Sequence, residues 1–125
     1  MRARFNKRLL SLIDASPALR IRAGADHRFL GIWVVVAKGR AFVRPWNDDP
    51  SGWRRAFLEE PRGAIRIAAL KREIPIRARV ARGERLWDAI DAAYAAKYAT
   101  KGSQRWVRGL VSPKRRKTTM ELLPG

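Results

Sequence analysis

Apolar positions along this chain change period several times, and each change marks an element. Between Arg4 and Asp14 the apolar residues Phe5, Leu9, Leu12 and Ile13 recur at helical spacing with cations on the other side, which predicts an amphipathic helix ended by Pro17. In ALRIRA, Leu19 and Ile21 then alternate with Arg20 and Arg22, the period of a half-buried strand. Phe29 to Ala37 is almost continuously apolar around Trp33, Val34, Val35 and Val36, which predicts a central strand buried on both faces. Lys38-Gly39 supplies a turn, and Arg40 to Trp46 returns as the second strand of a hairpin, with Phe42, Arg44 and Trp46 on one face.

The turn cluster Asn47-Asp48-Asp49-Pro50-Ser51-Gly52 introduces a short helix from Trp53 to Glu60, which Pro61 stops. A second hairpin follows, with Ile65 and Ile67 on one arm and Ile74, Ile76, Ala78 and Val80 on the other; Pro75 places the later strand near an edge or a bulge. Gly83 to Tyr98 gathers Leu86, Trp87, Ile90, Tyr94, Lys97 and Tyr98 on one side of a helix, with Glu84, Asp88 and Asp91 toward its positive end and Lys97 and Lys101 toward its negative end. A short helix from Gln104 to Leu110, a basic loop from Ser112 to Lys117 and a closing strand from Thr118 to Leu123 complete the order. Two hairpins without a helical crossover argue against a doubly wound parallel sheet and for an α+β antiparallel barrel with flanking helices, in a single domain over residues 1–125.

Composition narrows the chemistry. With no cysteine, disulfides, thiolate nucleophiles and iron–sulfur clusters are excluded, and redox work would need a bound cofactor. One histidine and eleven acidic residues make a metal site improbable. The apolar patch from Leu9 to Ile13 is broken by Ser11 and falls short of the ~7–15 residues of an export segment, and no stretch reaches the ~20 that span a bilayer, which points to a cytoplasmic location. The formal charge of +17 predicts attraction to polyanions or phosphorylated small molecules, unless it is an arginine-rich solvated surface.

The segments HRFLGIWVVV, FVRPWNDDPSGWRRAFLEEPRGAI, DAIDAAYAAKY and TTMELLPG, in this order and spacing, resemble the bacterial domain-of-unknown-function family 2255 from about Leu9 to the end of the chain. Their layout is also similar to the split-barrel flavin- and deazaflavin-binding superfamily of pyridoxamine-phosphate-oxidase and nitroreductase type. That resemblance implies an antiparallel split β-barrel, a homodimer, and flavin mononucleotide (FMN) or a deazaflavin lying across the subunit interface. Where such proteins carry a basic Gly-, Lys- and Arg-rich motif before the central strand, this chain has GADHR, Gly24 to Arg28.

Four groups of residues are candidates for function. His27 and Arg28 beside Asp26 combine a group that titrates near neutrality with a guanidinium that grips phosphate, or else stand in a solvated loop. Arg44, Trp46, Asn47 and Trp53 have the ingredients of a pocket for a planar phosphorylated ligand, or the tryptophans anchor the core; Arg54 and Arg55 add charge where the short helix begins. Tyr94, Lys97 and Tyr98 offer hydroxyls and an ammonium, though packing is their expected role. Arg20, Arg22, Arg66, Arg77 and Arg79 form a basic sheet face and Lys114 to Lys117 a basic run, the basis of a competing reading as a non-specific nucleic-acid binder. The leading reading is a small-molecule-binding protein, with a flavin- or deazaflavin-dependent oxidoreductase as its sharper form.

Overall fold

The computed structural model describes residues 4–47, 49 and 51–125, so Arg2 of the basic N-terminus and Asp48 and Pro50 of the turn cluster lie outside the described residues. Helix α1 spans Lys7–Ala15 and begins later than its apolar pattern, because the Asn6 side chain accepts the Leu9 N–H at 2.8 Å and so caps the first turn. Strand β1, Leu19–Ala23, alternates as expected, with Leu19, Ile21 and Ala23 buried.

The run from Phe29 to Ala37 is not one central strand. It forms β2, Leu30–Ile32, and β3, Val35–Ala37, interrupted at Trp33 and Val34. Strand β4, Arg40–Val43, returns from β3 through Lys38-Gly39, whose φ values of 53° and 71° are those of a two-residue hairpin turn of the primed kind. Helix α2, Trp53–Glu59, leads into β5, Arg62–Arg66, and β6, Ile74–Val80. Helix α3, Glu84–Lys97, is followed by a 3-10 turn and α4, Gln104–Leu110. Part of the expected basic loop is helical: α5, Pro113–Arg116, has proline in its first turn and is capped by the Ser112 hydroxyl. Strand β7, Met120–Pro124, closes the chain.

All seven strands belong to one antiparallel sheet in the order β2-β1-β5-β6-β7-β4-β3. Its two outermost strands, β2 and β3, are consecutive in sequence and separated by two residues, so the sheet must curl until its edges almost meet. The result is an α+β antiparallel split barrel, with five flanking helices among the described residues. Strand β6 is interior rather than an edge; Pro75 is tolerated because it stands where β7 runs out, opposite Gly125, whose N–H donates to the Pro75 carbonyl at 3.0 Å.

Inside the curl, Ile21, Ile65, Ile76, Val43 and Leu122 pack with Ile13 of α1 and Phe57 of α2. Phe57 lies against Gly63, where a Cβ would meet its ring at 2.9 Å and the Arg22 carbonyl at 2.1 Å, so only glycine lets α2 sit this close to β5. Outside the curl a second cluster joins Val35 and Phe42 to Ile90 and Tyr94 of α3 and Val107 and Leu110 of α4. Among the described residues no helix is long and apolar enough to cross a membrane.

Side chains of α3 complete the seam between β2 and β3. The fully buried Val34 donates its N–H to the Tyr98 hydroxyl at 3.2 Å, that hydroxyl donates to the Pro17 carbonyl at 2.5 Å, and Lys97 Nζ donates to the Val34 carbonyl at 2.8 Å. Burial pushes the Tyr98 phenol up to about 12 and the Lys97 ammonium down. On the outer face of β7, the buried Glu121 accepts from Arg40 Nε at 2.8 Å and Arg79 Nη2 at 2.6 Å, tying β4 and β6 to the strand between them. Burial raises the Glu121 carboxyl, but the hydrogen bonds from Arg40 and Arg79 outweigh it and hold the group below the usual carboxylate value.

Two outcomes are expected. Tyr98→Phe strands the Val34 N–H and lowers stability by about 1–3 kcal/mol in urea unfolding, with less than additive further loss on adding Lys97→Met, since both serve one residue. A loss under half a kcal/mol (about the size of an ordinary surface change) argues against the seam. Because the folded Glu121 value is depressed, its contribution is fully present above the unfolded carboxylate value of about 4.3 and is lost as pH falls through the folded value. The stability gap between the wild type and Glu121→Gln is therefore constant from neutral to mildly acidic pH and narrows below about pH 4; a gap that does not narrow on acidification contradicts the ion-pair account.

Candidate functional site

Two adjoining surface recesses gather six of the seven residues singled out as ligand contacts. The first, about 240 Å³, is lined by Trp46, Asn47, Trp53 and Arg54 with Leu30, Gly31 and Pro45. The second, about 230 Å³, is lined by His27, Arg28 and Trp53 with Arg22, Leu30 and Ala56. Leu30, Gly52 and Trp53 are common to both, so the two recesses adjoin at these residues and together make up the depression around Trp53.

Local chemistry holds this rim in place. The Asp49 carboxylate accepts both the Ser51 N–H at 2.9 Å and the Ser51 hydroxyl at 2.8 Å, and the Asp49 N–H donates to Asn47 Oδ1 at 3.3 Å. Those bonds from Ser51, the backbone one first, keep the Asp49 carboxyl below its ordinary value. The Gly52 N–H donates to the Asp49 carbonyl at 2.9 Å and Gly52 opens α2, which sets Trp53 at the first helical position. Trp53 meets Phe57 edge to face at 6.3 Å, so the glycine-dependent docking of α2 also fixes the ring in the depression.

Trp46 is held by other rings. Trp33, in the seam, stacks on Tyr98 with centroids 3.8 Å apart and planes 3° apart, and meets Trp46 edge to face at 4.9 Å. Trp46 in turn meets Trp106 of α4 at 5.1 Å, and both remain more than 40% exposed. A ladder of rings therefore runs from the buried Tyr98 at the end of α3 outward to the rim of the depression.

Arg44 is not brought to either recess. Its side chain is fully buried, donating to Asp91 Oδ1 at 2.6 Å, the Leu110 carbonyl at 3.0 Å and Thr119 Oγ1 at 2.8 Å, so it pins α3 and α4 to the sheet beside β7. Asp91 also pairs with Arg116, which reaches Asp88 as well; this ties down one member of the basic run, while Lys114 and Lys117 stay exposed. Tyr94 is wholly buried, which pushes its phenol upward, and with Tyr98 it packs in the cluster under α3, while Lys97 donates to the Val34 carbonyl. Arg55 is exposed, outside the residues lining the depression.

Leu30 and Trp106 escaped the sequence reading. Leu30 lay inside an apolar run that pointed to core, yet it is 45% exposed and central to the depression; Trp106 carried the only signal available, an aromatic on a short helix otherwise rich in arginine. Two wider depressions lie elsewhere, one of about 540 Å³ near Arg20, Arg66, Lys71 and Arg72, the other of about 620 Å³ near Leu58, Arg77 and Arg79. Neither has an exposed aromatic face. Among the described residues no group of three or more histidine, aspartate or glutamate side chains is placed to hold a metal ion.

Two solved structures share this fold. HutZ, the heme storage protein from Vibrio cholerae, aligns over 98% of this chain and 91% of its own with a TM-score of 0.61 and 13% identity. A conserved hypothetical protein from Mycobacterium tuberculosis aligns over 96% of this chain and 79% of its own, with a TM-score of 0.56 and 9% identity. No curated protein matches the sequence significantly. The family model for an uncharacterized protein conserved in bacteria matches residues 10–122, from the α1 residue Leu10 to Leu122 of β7, and the chain belongs to that family, DUF2255.

Proposed function

We propose that this protein binds a planar, anionic small molecule in the depression around Trp53. The observation that carries this reading is the convergence of two tryptophans, an amide, a histidine and three arginines from three separate parts of the chain on one surface depression. Each recess alone is smaller than the roughly 300–1,000 Å³ of sites for drug-sized ligands, and the two together fall within that range. Trp46 and Trp53 supply flat apolar surface for a ring, and Arg28 and Arg54 supply guanidinium forks for its phosphate or carboxylate.

FMN and the deazaflavins are rings of this kind, and the residues present suit them: the ring against Trp46 and Trp53, the phosphate toward His27 and Arg28. A bound flavin or deazaflavin would supply hydride or electron transfer, and the chain's part would be to orient the ring and screen one side of it from water. Heme, which HutZ stores according to its name, is likewise a flat ring bearing anionic groups. The reading includes a homodimer, since the exposed Leu30 and Trp46 rim a depression that is open on one side, and a second copy covering them would enclose the ligand.

Tryptophan quenching and absorbance titrations with FMN, a deazaflavin and hemin test this. One of the three is expected to bind saturably, with Trp53→Leu and Arg28→Gln each weakening it by about tenfold, equivalent to roughly 1.4 kcal/mol. Sedimentation of the ligand-bound protein is expected to give a dimer. Saturable binding of none, or unchanged affinity in both variants, would overturn the assignment.

A further inference from the structure

The strand register gathers arginines on the outer face of β1, β5 and β6. Arg20 lies opposite Arg66 and Arg62 opposite Arg77, while Arg22 and Arg79, two residues along from Arg20 and Arg77, share their side of the sheet. The alternating positions, among them Ile21, Ile65 and Ile76, point into the core. Helices α3 and α4 pack on the outer face around Val35 and Phe42, and leave Arg20, Arg62, Arg66 and Arg77 exposed.

Few carboxylates answer this charge. Glu73 bridges Arg22 at 3.2 Å and Arg66 at 3.1 Å, and the buried Glu121 takes Arg79. Among the described residues Arg20, Arg62 and Arg77 form no ion pair. The Phe29 ring lies 4.5 Å from the Arg22 guanidinium carbon and 4.8 Å from that of Arg66, holding both against the sheet. Beside Arg20 and Arg66 the wide depression of about 540 Å³ adds Lys71 and Arg72.

The register sets the backbone positions that carry these arginines at the strand spacing of about 4.8 Å across the sheet and about 6.8 Å between alternate residues along a strand. Such a lattice suits an anion that repeats along its length, because each fork takes one phosphate and the next phosphate meets the next fork. No large apolar side chain stands outward on β1, β5 or β6, and the one aromatic ring against this face, Phe29, is taken up by Arg22 and Arg66, which disfavours a lipid surface as the partner. We infer that the outer face of β1, β5 and β6 binds the phosphate backbone of a nucleic acid without regard to sequence. This face adjoins the depression around Trp53 at Arg22, which lines both, but Arg20, Arg62 and Arg77 lie outside that depression, so the inference does not depend on what it holds.

The test is fluorescence anisotropy of the full chain with labelled 20-nucleotide DNA, single-stranded and duplex, in two unrelated sequences, across a salt series. Affinity is expected to fall linearly on logarithmic axes, with a slope of about 0.7–0.9 per phosphate engaged. Arg20→Gln/Arg62→Gln/Arg77→Gln is expected to reduce that slope by about 2–3 and to weaken binding at low salt at least tenfold. Lys101→Gln/Arg108→Gln/Lys114→Gln removes the same charge from the α4 side and is expected to leave the slope unchanged. Melting temperatures should match in all three proteins, because the substituted residues are exposed and form no ion pair among the described residues; should the first triple variant unfold, each single variant is expected to reduce the slope by just under one unit. Equal slope loss in both triple variants, discrimination between the two sequences of tenfold or more, or binding to phosphatidylglycerol vesicles without binding to DNA would each overturn the inference.

Discussion

The arrangement hangs on how one residue's backbone is satisfied. Closing a seven-stranded sheet on itself in so short a chain makes β2 and β3 lie at opposite ends of the strand order while only Trp33 and Val34 separate them in sequence. At that corner the ladder has no strand to offer Val34, and an unpaired buried amide and carbonyl would each carry a desolvation penalty. Tyr98 and Lys97, adjacent at the end of α3, provide one acceptor and one donor. The length of α3 and its docking on β3 are thus conditions for sheet closure.

The same corner shapes the surface where binding is proposed. Trp33 is the other seam residue, and its stack on Tyr98 lets it brace Trp46, which would otherwise stand in solvent beside Asn47. Trp53 arrives independently, through Gly63 and the close docking of α2. Flat apolar surface is brought to one depression from two directions, each with its own support, and the nearby cations come from β1, the loop after it and the start of α2. The arginine face of β1, β5 and β6 follows from the same alternation that fills the core: where every second residue must be apolar, the remaining ones are free to carry charge.

Much of the fold was legible because its elements have clear periods. The alternation in LRIRA and IPIRARV and the one-sided pattern of α3 correspond directly to β1, β6 and a helix outside the barrel. The apolar run before Lys38 misled, since a strand buried on both faces and two short strands that exchange faces at a corner read alike; nothing local distinguishes Trp33-Val34 from its neighbours. Pro75 misled for a related reason: the end of β7, a long-range partner, supplies the gap it needs. For the site, His27, Arg28, Trp46, Asn47, Trp53 and Arg54 were legible as residue types suited to a ring and an anion, and the structure places them around one depression. Arg44 shows the limit, because a lone arginine in a hydrophobic strand reads equally well as a ligand contact or a buried staple, and only the distant positions of Asp91, Leu110 and Thr119 decide between them.

The seam is the claim on which the others rest, and hydrogen exchange at a single amide tests it most directly. Measured by NMR, the Val34 N–H should exchange only through near-global opening, as slowly as the amides of the central strand β6, and Tyr98→Phe should speed it by at least tenfold while leaving the β6 amides close to the rate set by the variant's own stability. Exchange at Val34 as fast as at the exposed Lys38-Gly39 turn, or no change on losing the Tyr98 hydroxyl, would contradict the account.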